Sequence, residues 1–197
     1  MHAVFSGLQG WWAVLAIALI CLTLAFGGDT LRVLGRYDRV AVQQGEYWRL
    51  LTGHLLHLGF GHLWPNLAAL SIMGALFRDF MSSRDWLVTG GAAALAIDAG
   101  LYWLDPNVSW YVGLSGVLHG FLAAGAFALL MRREGLGALL AIGISAKLIY
   151  EQAFGPIPFT AATTGGPVIV AAHLYGAAGG LLAASIAHAR RLRRSQL

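Results

Sequence analysis

Charged residues are what this sequence has least of. Asp, Glu, Lys and Arg together make up 11% of its 197 residues, and hydrophobic residues make up 58%, where soluble domains carry about 25% and about 45–50%. So few charges cannot cover the surface of a water-soluble domain of this length. That excludes a cytosolic globule, a disordered chain and a nucleic-acid binder. Cysteine is nearly absent too: Cys21 is the single one and lies inside an apolar run, so neither a disulfide framework nor a cysteine-rich metal site can be built. No tandem repeat, low-complexity segment or HExxH motif occurs. What is present is a set of long apolar runs, which makes the chain 1–197 a single integral membrane domain.

Runs long enough to cross a bilayer fall at about 11–26, 61–77, 86–104, 115–131, 136–152 and 168–188. The first has no Lys or Arg before it and no small-x-small cleavage site before Asp29, which predicts a retained helix rather than a removed signal peptide. The middle four contain His, Asn, Asp, Ser and Lys, so they are expected to pack on one another and not to face lipid all round. Six spans put both termini on one side. Arg78, Arg84, Arg132, Arg133, Arg190, Arg191, Arg193 and Arg194 gather on that face, whereas the opposite face holds Arg32, Arg36, Arg39 and Arg49, all in the loop 27–60. The excess predicts that both termini are cytoplasmic, and it explains the net charge of +4 without an acidic partner. Loop 27–60 mixes Leu, Val, Tyr and Trp with its charges, as a structured element at the outer interface would.

Three polar constellations stand at the outer ends of these spans. Gly113-Leu114-Ser115-Gly116 opens the fourth, where two glycines let the backbone turn sharply and leave a hydroxyl at a helix mouth. The free N–H groups and positive dipole end there suit a developing oxyanion. His173 in the sixth span shares a face with Gly176 and Gly180, as Gly116, Gly120 and Ala124 share one on the fourth. Paired small-residue stripes let two backbones approach closely, close enough for a Ser–His hydrogen bond. The same pattern also describes a packing seam with one interhelical histidine. The third constellation, His54-x2-His57-x4-His62-x3-Asn66, places His62 and Asn66 one above the other as two side-chain donors. Oxyanion donors, a metal site and plain polar packing all remain open for it. No carboxylate accompanies the histidines, which counts against catalytic zinc.

Taken together the residues resemble the rhomboid intramembrane serine proteases. The resemblance rests on Trp48-Arg49, His62-x3-Asn66, Gly113-x-Ser115-Gly116 and Ala172-His173-x2-Gly176-x3-Gly180, in order and in register across the six-helix form. It implies an all-α six-span bundle and a catalytic Ser115–His173 dyad without a carboxylate member. It also implies His62 and Asn66 as oxyanion-hole donors, a membrane-dipping loop at 27–60 and an outer loop at 153–167 capping the site. No metal or organic cofactor is implied. The serine motif runs on to Val117-Leu118-His119-Gly120, which is most similar to the rhombosortase branch; many other rhomboids carry tyrosine where His119 stands. His119 is then expected to stack under His173 or to bond to it. Lys147 and Glu151, at i and i+4, are expected to pair on one face of the fifth span, as structure or as part of a substrate gate. Asp98 is expected to be a hydrogen-bonded packing residue.

The resemblance implies an enzyme of the bacterial inner membrane acting on transmembrane substrates, with no nucleic-acid partner. In the rhombosortase branch these are exported proteins bearing a C-terminal Gly-Gly motif, an apolar helix and a basic tail (GlyGly-CTERM proteins). The alternative is an inactive relative that binds membrane clients without cutting them. A transporter is the third reading, against which the lack of inverted repeats counts.

Overall fold

The computed structural model describes residues 11–158 and 160–194; the two ends of the expected domain and Phe159 of the expected cap loop lie outside them. The elements run α1 (Trp11–Ala25), α2 (Gly28–Gly35), β1 (Tyr37–Asp38), α3 (Arg39–Gln43), α4 (Arg49–Thr52), α5 (Phe60–Phe77), α6 (Ser83–Trp103), β2 (Trp110–Tyr111), α7 (Ser115–Met131), α8 (Gly135–Phe154), α9 (Thr160–Thr164) and α10 (Val170–Arg194). Among the described residues the regular structure is all-helical apart from the β1–β2 pair. Each of the six expected spans falls on a helix. Three of these, α5, α8 and α10, are long and apolar enough to cross a bilayer, and α1 with α2, which meet at 118°, makes a fourth if the bent pair is counted as one span. The other two are shorter or more polar: α7 has 17 residues, and α6 carries Arg84, Asp85 and Asp98.

The core is apolar, with Leu63, Leu70, Phe77, Trp86 and Phe121 fully buried, but large apolar side chains also face outward and several polar ones lie inside. Leu19, Leu95, Ile142, Ile149 and Leu182 are exposed, while His62, Asn66, Asp98, Glu151 and His173 are buried. Lipid solvates the first group; the second must find its hydrogen bonds inside the bundle.

Helix ends follow local chemistry. Ser82 and Asp85 form a reciprocal capping box at the start of α6, which moves its first residue to Ser83, ahead of the expected 86. At its other end the Arg39 guanidinium donates to the carbonyls of Tyr102 (2.9 Å) and Asp105 (2.8 Å), taking up acceptors that a helix C-terminus leaves unpaired. Segment 27–60 is thus built rather than loose. Within it Arg49 is buried, donating to Glu46 (2.7 Å), to Val33 O (2.8 Å) and to Arg36 O (3.0 Å), while the indole N–H of Trp48 reaches Leu34 O (3.3 Å). The Trp48-Arg49 motif therefore stitches this segment together.

The antiparallel strand pair aligns Tyr37 with Tyr111 and Asp38 with Trp110. Gly113 N–H donates to Gly53 O (2.9 Å), so the segment preceding Ser115 is tied to segment 27–60 on both sides of Tyr111. Helices α7 and α10 share the most extensive contact in the bundle. Their glycine stripes interlock: a Cβ on Gly120 would lie 2.8 Å from Gly176 O, and one on Gly176 or Gly180 would collide with the Gly116 or Gly120 carbonyl. Only hydrogens fit there, which sets the separation between Ser115 and His173.

Candidate active site

Ser115 is the first residue of α7, and the chain reaches it through Gly113 at φ +131°. That backbone conformation favours glycine, and space demands glycine as well. A Cβ on Gly113 would lie 2.8 Å from His62 Cε1 and 3.0 Å from its Nε2. The Tyr111 hydroxyl donates to Gly113 O (2.7 Å) and secures the turn; burial pushes that phenol's pKa upward.

His173, on the first turn of α10, meets the serine at 3.1 Å from Nε2 to Oγ. Its other nitrogen, Nδ1, lies 2.8 Å from Glu151 Oε2 on α8. Glu151 Oε1 in turn accepts from Lys147 Nζ at 2.6 Å, one turn earlier on the same helix. The carboxylate is buried, with 2% of its residue surface exposed, and both its oxygens are engaged. A carboxylate on Nδ1 fixes the proton there and leaves the Nε2 lone pair facing the hydroxyl. The family resemblance implied no carboxylate at this histidine; this one lies within hydrogen-bond distance of it.

His119 lies flat under His173, with ring centroids 4.1 Å apart and planes 14° from parallel. Its Nδ1 donates to the Ser115 carbonyl at 2.7 Å. On α5, His62 Nδ1 accepts from the Leu58 N–H (3.4 Å), so the ring's proton is on Nε2, the nitrogen beside Gly113. Asn66 spends one amide N–H on the His62 carbonyl (2.9 Å) and has a second. All five residues singled out in the sequence, Ser115, His173, His62, Asn66 and His119, line one cavity of about 190 Å³ with Lys147, Glu151 and Tyr111. Thr160, Thr163 and Thr164 of the 153–167 segment line it as well.

The histidine run does not converge as one ligand set. His54 Nε2 turns to Asp98 Oδ1 (3.2 Å), giving Asp98 the hydrogen bond expected of it. His57 packs edge-on to His62, centroids 4.9 Å apart; burial, and then His62, lower its pKa to about 3. Among the described residues the group whose ligand atoms cluster within 4.8 Å is His119, Glu151 and His173. Two of its three atoms belong to stacked, parallel rings whose lone pairs do not converge, and Glu151 is already held by Lys147.

The sequence pairs Glu151 with Lys147, as structure or as part of a substrate gate, but does not place it beside His173. An ionisable residue inside a span is a functional candidate by default, and its i−4 lysine was visible. What spacing on one helix does not reveal is which residue on another helix it faces.

A family model described as the Rhomboid domain matches residues 44–190, a stretch that holds every residue of this cavity. YdcA of Bacillus subtilis (strain 168), whose name includes the words rhomboid protease, is 27% identical over 163 residues, covering 79% of this chain and 74% of that protein. Rhomboid protease GluP of the same organism is 30% identical over 127 residues, 64% of this chain but 25% of GluP. RHOMBOID-like protein 5 of Arabidopsis thaliana is 36% identical over 98 residues, 48% of this chain and 31% of that protein.

Proposed function

The chain belongs to the rhomboid family and is a serine protease, and from that premise we propose that Ser115 and His173 cleave transmembrane substrates near the outer face of the membrane. The observation that carries this reading is the 3.1 Å contact between Ser115 Oγ and His173 Nε2. As Oγ bonds to the substrate carbonyl carbon, its proton passes to Nε2 and the carbonyl electron pair moves onto oxygen. His62 Nε2–H, the second amide N–H of Asn66 and the Ser115 backbone N–H at the start of α7 receive that oxyanion. Collapse breaks the C–N bond, and the leaving amine takes the proton from Nε2. Water, deprotonated by the same nitrogen, then attacks the acyl carbon and returns Ser115.

The topology belongs to the same proposal: α1, α5, α6, α7, α8 and α10 each cross the membrane, with the arginine-rich ends on the cytoplasmic side. The ion pair of Arg191 with Asp85 (3.0 Å) lies at that end, opposite the serine. The membrane is the bacterial inner membrane.

A serine at this depth attacks only backbone that has left its helix, because helical carbonyls are bonded internally. Glycines make the unwinding easier by about 1 kcal/mol each relative to alanine, and they fit a cavity of about 190 Å³. With the similarity of the Ser115–Gly120 motif to rhombosortases, this assigns exported proteins with a C-terminal Gly-Gly motif, an apolar helix and a basic tail. The test is to co-express such a tailed protein with wild-type enzyme or with Ser115→Ala and to map its new C-terminus. A cut beside the glycines, dependent on Ser115, supports the assignment. Unchanged anchoring in both strains, or a cut far from the glycines, refutes it.

A further inference from the structure

Glu151 is a buried carboxylate for which the serine–histidine mechanism has no use. Its position is specific. One oxygen faces His173 Nδ1 at 2.8 Å and the other holds Lys147 Nζ at 2.6 Å. Taking a carboxylate out of water costs several kcal/mol unless it is paired and hydrogen-bonded, and this one is both. Packing alone would be served as well by an apolar side chain, at no desolvation cost. Lys147 is half-buried, its side chain 31% exposed at the cavity wall, whereas the Glu151 side chain beside it is 1% exposed, so a partly solvated cation is held against a buried carboxylate.

We propose that Glu151 is a positioning residue for His173, completing a Ser115–His173–Glu151 relay across α7, α10 and α8, and that Lys147 holds Glu151 ionised and aligned. The proposal rests on the serine–histidine reading. The carboxylate keeps the His173 proton on Nδ1, so Nε2 meets the hydroxyl as an acceptor. When the serine proton arrives, the imidazolium forms beside a negative charge inside a bundle surrounded by lipid. Glu151 takes no proton itself; its charge is the same before and after each step. His119, stacked on the face of the same ring, leaves the in-plane edge at Nδ1 to Glu151.

A neutral amide in place of Glu151 can donate to Nδ1, which turns the Nε2 proton toward the serine. The experiment compares purified wild type, Glu151→Gln, Glu151→Asp, Lys147→Met and the Glu151→Gln/Lys147→Met double variant in a bilayer mimic. It measures kcat and KM on a transmembrane peptide, the rate of fluorophosphonate labelling, and thermal unfolding. Glu151→Gln is expected to lower kcat and the labelling rate together by about 10²–10⁴-fold, the scale on which a lost histidine-orienting carboxylate acts, while KM stays near its wild-type value. Glu151→Asp restores part of that loss. Lys147→Met lowers kcat less, and adds nothing in the Glu151→Gln background, because it acts through the carboxylate. Should Glu151→Gln not fold, Glu151→Asp and Lys147→Met carry the same comparison, and wild-type kcat in both overturns the proposal. A wild type that labels at Ser115 at a rate Glu151→Gln matches overturns the positioning role alone. A wild type that does not label at all overturns the serine–histidine reading and this proposal with it.

Discussion

The imidazoles of His119 and His173 are stacked face to face, with centroids 4.1 Å apart and planes 14° from parallel. They come from different helices, and the stack exists because the Gly116–Gly120 and Gly176–Gly180 stripes bring α7 and α10 together. The lower ring covers one face of the upper and leaves both of its in-plane nitrogens to Ser115 and Glu151.

His119→Ala is therefore expected to lower kcat by up to about tenfold, since an aromatic pair of this kind contributes about 0.5–1.5 kcal/mol. His119→Tyr keeps an aromatic face and should retain most activity. Steady-state cleavage of a transmembrane peptide checks both. Equal loss in the two variants would mean that the bond from Nδ1 to the Ser115 carbonyl matters, and not the stacked face; no loss in either would remove the role.

His62 and Asn66 should act on the transition state. Each single alanine substitution is expected to cost about 10²–10³ in kcat, with KM changed little, because the oxyanion is absent from the ground state. The cost is smaller if one donor covers for the other, and the double variant then shows the full loss. Wild-type kcat in the double variant would end the assignment. Stoichiometric zinc in the purified protein, lost with His62→Ala, would favour a metal site instead.

Much of this site was legible as one-helix spacing. His62 with Asn66, Ser115 with His119 and Lys147 with Glu151 are all i,i+4 pairs, and such pairs face the same way wherever the helix lies. The glycine stripes were legible for the same reason, as was the placement of six helices, because apolar length is a local property. The partner of Glu151 was not legible. It depends on how α8 is rotated against α10, which the packing of the whole bundle decides. The same holds for Arg39, whose bonds run to carbonyls more than sixty residues away, and for the strand pair that ties segment 27–60 to the turn before Ser115. Span ends moved where a cap intervened, as Ser82 does for α6.

The α7–α10 seam yields a stability prediction. Gly176→Ala places a methyl group against the Gly116 carbonyl, a backbone atom that cannot swing aside, and overpacking of this kind costs about 1–3 kcal/mol. Gly143→Ala on α8 meets nothing within 4 Å and should be neutral or stabilising by up to about 1 kcal/mol, the helix-propensity gain. Thermal unfolding in one detergent compares the two. Equal melting temperatures would show that the seam tolerates a Cβ.

The central claim is that Ser115 is a nucleophile activated by His173, and site-resolved covalent labelling tests it most directly. Purified wild type, Ser115→Ala and His173→Ala are treated with a fluorophosphonate in a bilayer mimic, and adducts are located by intact-mass and peptide mass spectrometry. Wild type is expected to gain one adduct, on Ser115, and Ser115→Ala none. His173→Ala should label at least about 10⁴-fold more slowly, as expected when the base of such a pair is removed. A wild type that gains no adduct, an adduct on another residue, or labelling of His173→Ala at the wild-type rate would contradict the account.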